Sequence, residues 1–223
     1  MRIEYDIKYD FKDVLIRPKR SVLKTRSEVS LEREFKFRHS PLTWSGVPII
    51  ASNMDHTGTF NMAKALAEHR LMTAMDKFIS VEDWLAFGQA HPELKNNYFV
   101  SVGVSEADFK KLDRVMKDLK APFICLDVAN GYTERFVECL EHLRDTYTDA
   151  VIMAGNVVTG EMVEELILSG ADIVKTNVGP GAMCTTRLQT GVGRPSFSTT
   201  VACALAAKDV GGFIWADGGV KHP

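Results

Sequence analysis

The sequence predicts an α/β fold, a (β/α)8 TIM barrel that is truncated after its seventh strand. Three observations carry this. Short, continuous apolar runs recur down the 223 residues, the pattern of strands covered on both faces in a parallel sheet. Amphipathic helical segments separate these runs, giving a series of βα units. Polar and glycine residues collect at the C-terminal ends of the strands, the rim on which barrel enzymes assemble their sites.

The expected strands are 47–51, 71–75, 98–102, 122–128, 150–154, 172–175 and 212–216. Between them, residues 60–67 carry apolar side chains at helical spacing. Ser80 and Ser105 are each followed by acids in the first turn, a helix start. Residues 133–147 place Phe136, Val137, Leu140 and Leu143 on one face. Thr159 reads as a cap for the next helix, and Gly170 as its stop. A doubly wound sheet has the same rhythm, but no GxGxxG follows the first strand. The rim residues are also spread over many strands: Asn53, Asp55, Lys77, Asp127, Asn130, Asn156, the loop 177–187 and Asp217 to Gly219. A closed barrel needs eight strands. Seven are found, so one catalytic domain spanning 1–223 is expected, with its C-terminal part absent.

Apolar content of 45% and charged content of 25% are those of an ordinary globular domain. A net charge of -2 gives no basis for a nucleic-acid or anionic-membrane partner. No apolar leader or membrane-length run appears, so a cytoplasmic protein is expected. The four cysteines, Cys125, Cys139, Cys184 and Cys203, show no CxxC or metal-finger spacing and read as free thiols. Three of them lie in strand-like or helix-like runs and read as small core residues. Cys184 differs. It follows a Gly179-Pro180-Gly181 turn and precedes Thr185, Thr186 and Arg187. Such a loop brings a thiol, backbone carbonyls and a hydroxyl into one small space, the equipment for covalent chemistry at an electrophilic carbon.

The ordered set of rim motifs resembles the IMP dehydrogenase/GMP reductase family. It comprises residues 11–21 (FKDVLIRPKRS), 51–55 (ASNMD), 58–60 (GTF), 126–132 (LDVANGY), 153–160 (MAGNVVTG), the Cys184 loop, 190–193 (TGVG) and 217–219 (DGG). The resemblance implies NADPH-dependent conversion of GMP to IMP and ammonia, in purine salvage, by a homotetramer. It makes Cys184 the nucleophile that attacks purine C2, and Thr186 the proton carrier. It implies Asp217, with Gly218 and Gly219, as the ribose grip, and Asn156 as a further substrate contact. Lys77, Asp127, Val128, Ala129, Val178 and Gly179 would line the cofactor side, with Thr25 and Arg26 reaching a neighbouring subunit's cofactor. A monovalent cation, K+ in this family, would sit on Gly179, Gly181 and Cys184, with Arg187 beside it.

The chain departs from the pattern in places. Ala182 replaces a serine that helps hold the nucleotide phosphate, followed by Met183, and Arg194 is expected to take over part of that anion binding. The histidines usual near Lys77 are absent. The eighth strand, a second phosphate-binding segment, the flap and the glutamate partner of Thr186 would lie beyond Pro223, so 1–223 alone is expected to turn over poorly. IMP dehydrogenase, oxidising IMP with NAD to XMP, is the closest alternative. Only one helix-sized connection separates Lys77 from Tyr98, with no room for the regulatory module usual in that enzyme. A non-catalytic purine-nucleotide binder is the alternative of a different class.

Overall fold

All seven expected strands form, and they pair in chain order. The computed structural model describes residues 3–182 and 184–220. Expectations that fall on Met183 and on 221–223 lie outside the described residues. The sheet strands are β3 (Ile50–Ala51), β4 (Met72–Ala74), β5 (Tyr98–Val102), β6 (Phe123–Asp127), β7 (Val151–Val157), β8 (Ile173–Thr176) and β9 (Phe213–Ala216). Every neighbouring pair is parallel, and the order runs from β3 to β9 without a reversal. A doubly wound sheet would reverse its order at a switch point. This sheet does not, which is the winding of a barrel wall. Its two edges are β3 and β9.

The helices are α1 (Phe60–Ala67), α2 (Val81–Ala90), α3 (Glu106–Leu119), α4 (Glu134–Thr146), α5 (Gly160–Leu168), α6 (Thr186–Thr190) and α7 (Ser196–Asp209). Ser80 and Ser105 cap as expected, accepting from Asp83 N and Asp108 N at 3.1 Å each. Thr159 does not cap α5 through its side chain. Its hydroxyl lies 3.1 Å from the Tyr132 hydroxyl instead, because the side chain is drawn to the loop after β6.

Alternate residues of each strand face two different cores. Val100, Val102, Ile124, Leu126, Ile152 and Ala154 pack outward against helix residues such as Phe136, Leu140 and Leu166. Phe99, Phe123, Cys125, Val151, Met153 and Ile173 face inward. Each such large side chain, fully buried, contributes roughly 1.5–3 kcal/mol. The inner cluster is completed by an antiparallel hairpin that the sequence did not reveal, β1 (Arg33–Lys36) and β2 (Thr43–Gly46). Trp44 is buried in that cluster. Phe35 and Phe37 meet the Phe213 ring edge-on at 5.2 and 6.1 Å. Phe123, Ile173 and Phe213 are the first residues of their strands, so the hairpin plugs the N-terminal end of the wall and leaves the C-terminal rim open.

One buried ion pair fastens that end. Asp172 is fully buried and accepts from Arg144 Nη2 at 2.7 Å, Ile152 N at 3.0 Å and His39 N at 2.8 Å. Arg144 Nη1 also donates to the carbonyls of Thr148 and Ala150 at 2.9 and 2.8 Å. Removing one partner of such a pair strands a buried charge, at a cost of about 3–5 kcal/mol. Asp172→Ala is therefore expected to lower the unfolding free energy by that order, read from the urea midpoint. A loss well under 1 kcal/mol would show that the pair does not hold the plug to the wall.

Candidate active site at the C-terminal rim

Twelve of the expected site residues converge on one cleft of about 540 Å³. It lies where the C-terminal ends of β6 to β9 open into their loops. One side is built by Lys77, Asp127, Val128 and Ala129, the other by the loop that follows β8, with Cys184 and Thr186. Asn156, Val178, Gly179, Gly181, Asp217 and Gly218 complete the expected set. Asp127 ends β6, Asn156 lies near the end of β7 and Asp217 directly follows β9, so these polar groups stand on rigid strand ends, whereas Cys184 comes from the loop after β8.

Five expected residues do not line the cleft. Gly219 sits behind it, where an added Cβ would come 3.0 Å from both Pro180 Cβ and Ser196 Oγ. Arg187 turns its guanidinium away, donating to the carbonyls of Val178 and Arg194 at 3.0 and 2.6 Å. Thr25 and Arg26 lie on an exposed N-terminal segment that ends in a 3-10 turn, Arg26–Glu28. Arg194, expected to help bind an anion, instead donates to the Val158 carbonyl at 3.1 Å.

The centre of the rim is a residue the sequence reading passed over. Lys175 is 4% exposed. Its Nζ lies 2.6 Å from Asp127 Oδ1, 3.1 Å from Asp217 Oδ2 and 2.9 Å from Asn53 Oδ1. The Trp215 ring covers it at 5.3 Å. Burial alone would lower the Lys175 pKa, but the carboxylates of Asp127 and Asp217 outweigh it and hold the pKa above its ordinary value. A lysine inside a continuous apolar run was the available signal, since lysine is almost never fully buried unless paired.

Asp217 is held on several sides. Ser52 Oγ donates to Oδ1 at 3.0 Å, and Asn156 Nδ2 donates to Oδ2 at 3.0 Å. Oδ2 is thus shared by Lys175 and Asn156, while Oδ1 carries only Ser52. An ionised carboxylate oxygen accepts about two bonds, so Oδ1 retains capacity for a ligand hydroxyl. Asn177, 1% exposed, is a second residue passed over. Among the described residues its Oδ1 has no partner, although the residue lines the cleft. A buried acceptor without a partner calls for a ligand or water.

Cys184 is exposed, whereas Cys125 and Cys203 are buried and Cys139 is half-buried. Its sulfur lies 3.3 Å from Thr186 Oγ1. The thiol donates in that contact; once ionised, the sulfur accepts from the Thr186 hydroxyl. The hydroxyl and backbone N–H of Thr186 lower the Cys184 pKa, with a smaller contribution from Arg187. Burial drives the other way at Cys125 and Cys203, pushing them up to about 12 and about 11. Cys184 is thus the reactive thiol of the four. Among the described residues, no group of His, Cys, Asp and Glu side chains suits a metal ion, and no helix is long and apolar enough to cross a membrane.

The family model described as "IMP dehydrogenase / GMP reductase domain" matches residues 8–223. The GMP reductase of Klebsiella pneumoniae is 57% identical over the whole of this chain, which covers 65% of that relative. Those of Serratia proteamaculans and Vibrio cholerae are 58% and 57% identical with the same coverage. The chain thus spans about 65% of the length of these curated relatives. The crystal structure of inosine 5' monophosphate dehydrogenase from Legionella pneumophila superposes with a TM-score of 0.82 at 32% identity, covering 96% of this chain and 63% of that one.

The thiol geometry sets an expectation for alkylation. Cys184 should react with iodoacetamide faster than the other three cysteines, with a pH midpoint below that of an ordinary thiol. Thr186→Val removes the hydroxyl and raises the Cys184 pKa, so less thiolate is present near neutral pH. The rate there should fall roughly threefold, as followed by peptide mass mapping. An unchanged pH profile would mean that Thr186 does not tune the sulfur.

Proposed function

This chain belongs to the IMP dehydrogenase / GMP reductase family, and from that premise we propose that it acts as a GMP reductase, converting GMP to IMP and ammonia with NADPH. The observation that carries the reading is the exposed Cys184 sulfur, 3.3 Å from Thr186 Oγ1 in a cleft shared with Asp217. The 56–58% identity to GMP reductases, against 32% to the dehydrogenase, favours the reductase. So does the short connection between β4 and β5, which holds only α2 and a 3-10 turn, Pro92–Asn96.

In this reading the Cys184 thiolate adds to C2 of the guanine. The bond from C2 to the exocyclic nitrogen then breaks, and the nitrogen leaves as ammonia with protons passed through Thr186. A covalent thioimidate remains on the sulfur. NADPH, when bound, supplies the hydride that reduces C2. Rupture of the S–C2 bond releases IMP and regenerates the thiolate. The balance is GMP, NADPH and protons in, IMP, NADP+ and ammonium out. The ribose diol donates to Asp217 Oδ1, with Gly218 and Asn156 about it and Gly219 supporting the turn from behind. Charge-assisted bonds of this kind orient the base against the sulfur.

Lys77, Asp127, Val128, Ala129, Val178 and Gly179 form the cofactor side of the cleft. Its fit to a polar ligand is supported by the unpartnered Asn177 Oδ1 and by Asp127, whose Oδ1 alone is committed to Lys175. The carbonyls of Gly179, Gly181 and Cys184 are hard oxygen donors, suited to K+, with Arg187 behind them. Gly181 O also accepts from Cys184 N at 3.1 Å, which fixes the turn those carbonyls share.

We place this activity in cytoplasmic purine salvage and in a homotetramer. Leu15, Ile16 and Val22 are each at least 95% exposed. Those exposed apolar side chains suit burial against a second copy, where Thr25 and Arg26 would meet the neighbour's cofactor.

The test follows NADPH absorbance with GMP, and separately NADH production from IMP with NAD. GMP-dependent NADPH loss is expected, falling by on the order of 10⁴ in Cys184→Ala. Turnover of IMP with NAD instead would assign the dehydrogenase. A 6-chloropurine ribonucleotide should also form an adduct that maps to Cys184 without any cofactor. No adduct at that thiol would leave only a nucleotide binder.

A further inference from the structure

The loop that carries Cys184 is closed at its base by a single side chain. Arg187 Nε donates to Val178 O at 3.0 Å, at the start of the loop. Its Nη2 donates to Arg194 O at 2.6 Å, at the end. The stem of Arg187 passes between two glycines with positive φ, Gly179 at +77° and Gly193 at +154°. A Cβ on Gly179 would fall 2.6 Å from Arg187 Cγ, and one on Gly193 would fall 2.9 Å from Nε. The loop is therefore folded around this arginine, and any side chain at those positions would collide with it.

The far end of the guanidinium meets a residue from the other end of the chain. Arg187 Nη1 lies 3.8 Å from Asp10 Oδ2. The other oxygen of that carboxylate accepts from Ser196 N at 2.6 Å. Helix α7 begins behind Pro195, which has no side-chain acceptor to cap it. Asp10 fills that role from a distant part of the sequence. The segment around it is fastened to the same helix turn. Tyr9 N donates to Ser198 Oγ at 2.8 Å, and Ser198 N donates to Tyr9 O at 3.1 Å. The Phe11 ring meets Phe197 edge-on at 5.9 Å. Asp13 Oδ2 accepts from Asp10 N at 2.9 Å and holds the aspartate in place.

We propose that Asp10 is a positioning residue for the nucleophile: it clamps Arg187 to the first turn of α7 and so fixes the loop that presents Cys184 and Thr186. The proposal rests on the reading of Cys184 as the reactive thiol. It gives the N-terminal strap a part in the chemistry without any contact with substrate. The ion pair is partly exposed and contributes little by its energy. Its effect is geometric, because one carboxylate joins three separate stretches of chain.

The test is hydrogen exchange of residues 178–194 in the full chain, with the rate of Cys184 alkylation by iodoacetamide at one fixed pH mapped by mass spectrometry beside it. With the loop held, the Cys184 sulfur keeps its 3.3 Å contact with Thr186 Oγ1. In Asp10→Ala the loop loosens, so its amides should exchange faster and the alkylation rate should fall by roughly threefold. Asp10→Asn keeps the acceptor for Ser196 N and should restore most of both. A purely structural latch would lower the melting temperature and leave loop exchange and alkylation rate unchanged, and that result overturns the proposal. Should Asp10→Ala not fold, Ser198→Ala loosens the same strap and should change both readouts the same way by less; no change there also overturns it. The measurement uses neither GMP nor NADPH, so failure of the reductase assay is a separate outcome.

Discussion

The rim of this protein depends on one buried ammonium between two carboxylates. Asp127 ends β6 and Asp217 directly follows β9, and each would repel the other if both were ionised without a cation between them. Lys175 supplies that cation at 2.6 and 3.1 Å. In return the two carboxylates make its own burial tolerable. Loss of Lys175 would leave two carboxylates facing each other with no cation between them, a cost of several kcal/mol. The separation between the side of the cleft read as cofactor-binding and the side read as ribose-binding is thus set by a salt bridge inside the barrel wall.

Strand β8 carries this arrangement and transmits it. Asp172, just before it, is tied to Arg144 and to the plugged end of the wall. Lys175, within it, is tied to the open end. The loop that presents Cys184 departs directly after it. Ion pairs toward both ends of a four-residue strand leave β8 little freedom to slip in register. The chemistry therefore starts from a fixed point, and the loop needs only the Arg187 brace at its base to place the sulfur.

Much of this was legible in the sequence, for identifiable reasons. Strands buried on both faces are continuous apolar runs, and 98–102 was read to the residue because Asn97 and Gly103 mark its ends. Cys184 stood out because its neighbours are glycines and hydroxyls rather than core formers, and the structure leaves it exposed. The hairpin was not legible. Three of the four residues of β1 are exposed, so it has neither alternation nor a long apolar run, and its meaning comes only from the rings it meets across the wall. Lys175 looked like the polar end of a strand. Its importance depends on partners about 40 and 50 residues away, which no local pattern encodes. Thr159 had the right residue type for a cap but found a closer partner in Tyr132. Arg187 was expected beside a cation, yet its guanidinium braces the loop from behind, a role set by carbonyls whose positions only the folded loop defines.

The account stands or falls on where a guanine nucleotide lies. A crystal structure of the protein with GMP is the direct measurement. It should place purine C2 within bonding reach of the Cys184 sulfur and a ribose hydroxyl on Asp217 Oδ1, with Lys175 still bridging Asp127 and Asp217. A nucleotide bound away from that sulfur, or an Asp217 that leaves Lys175 without touching the ribose, would contradict it.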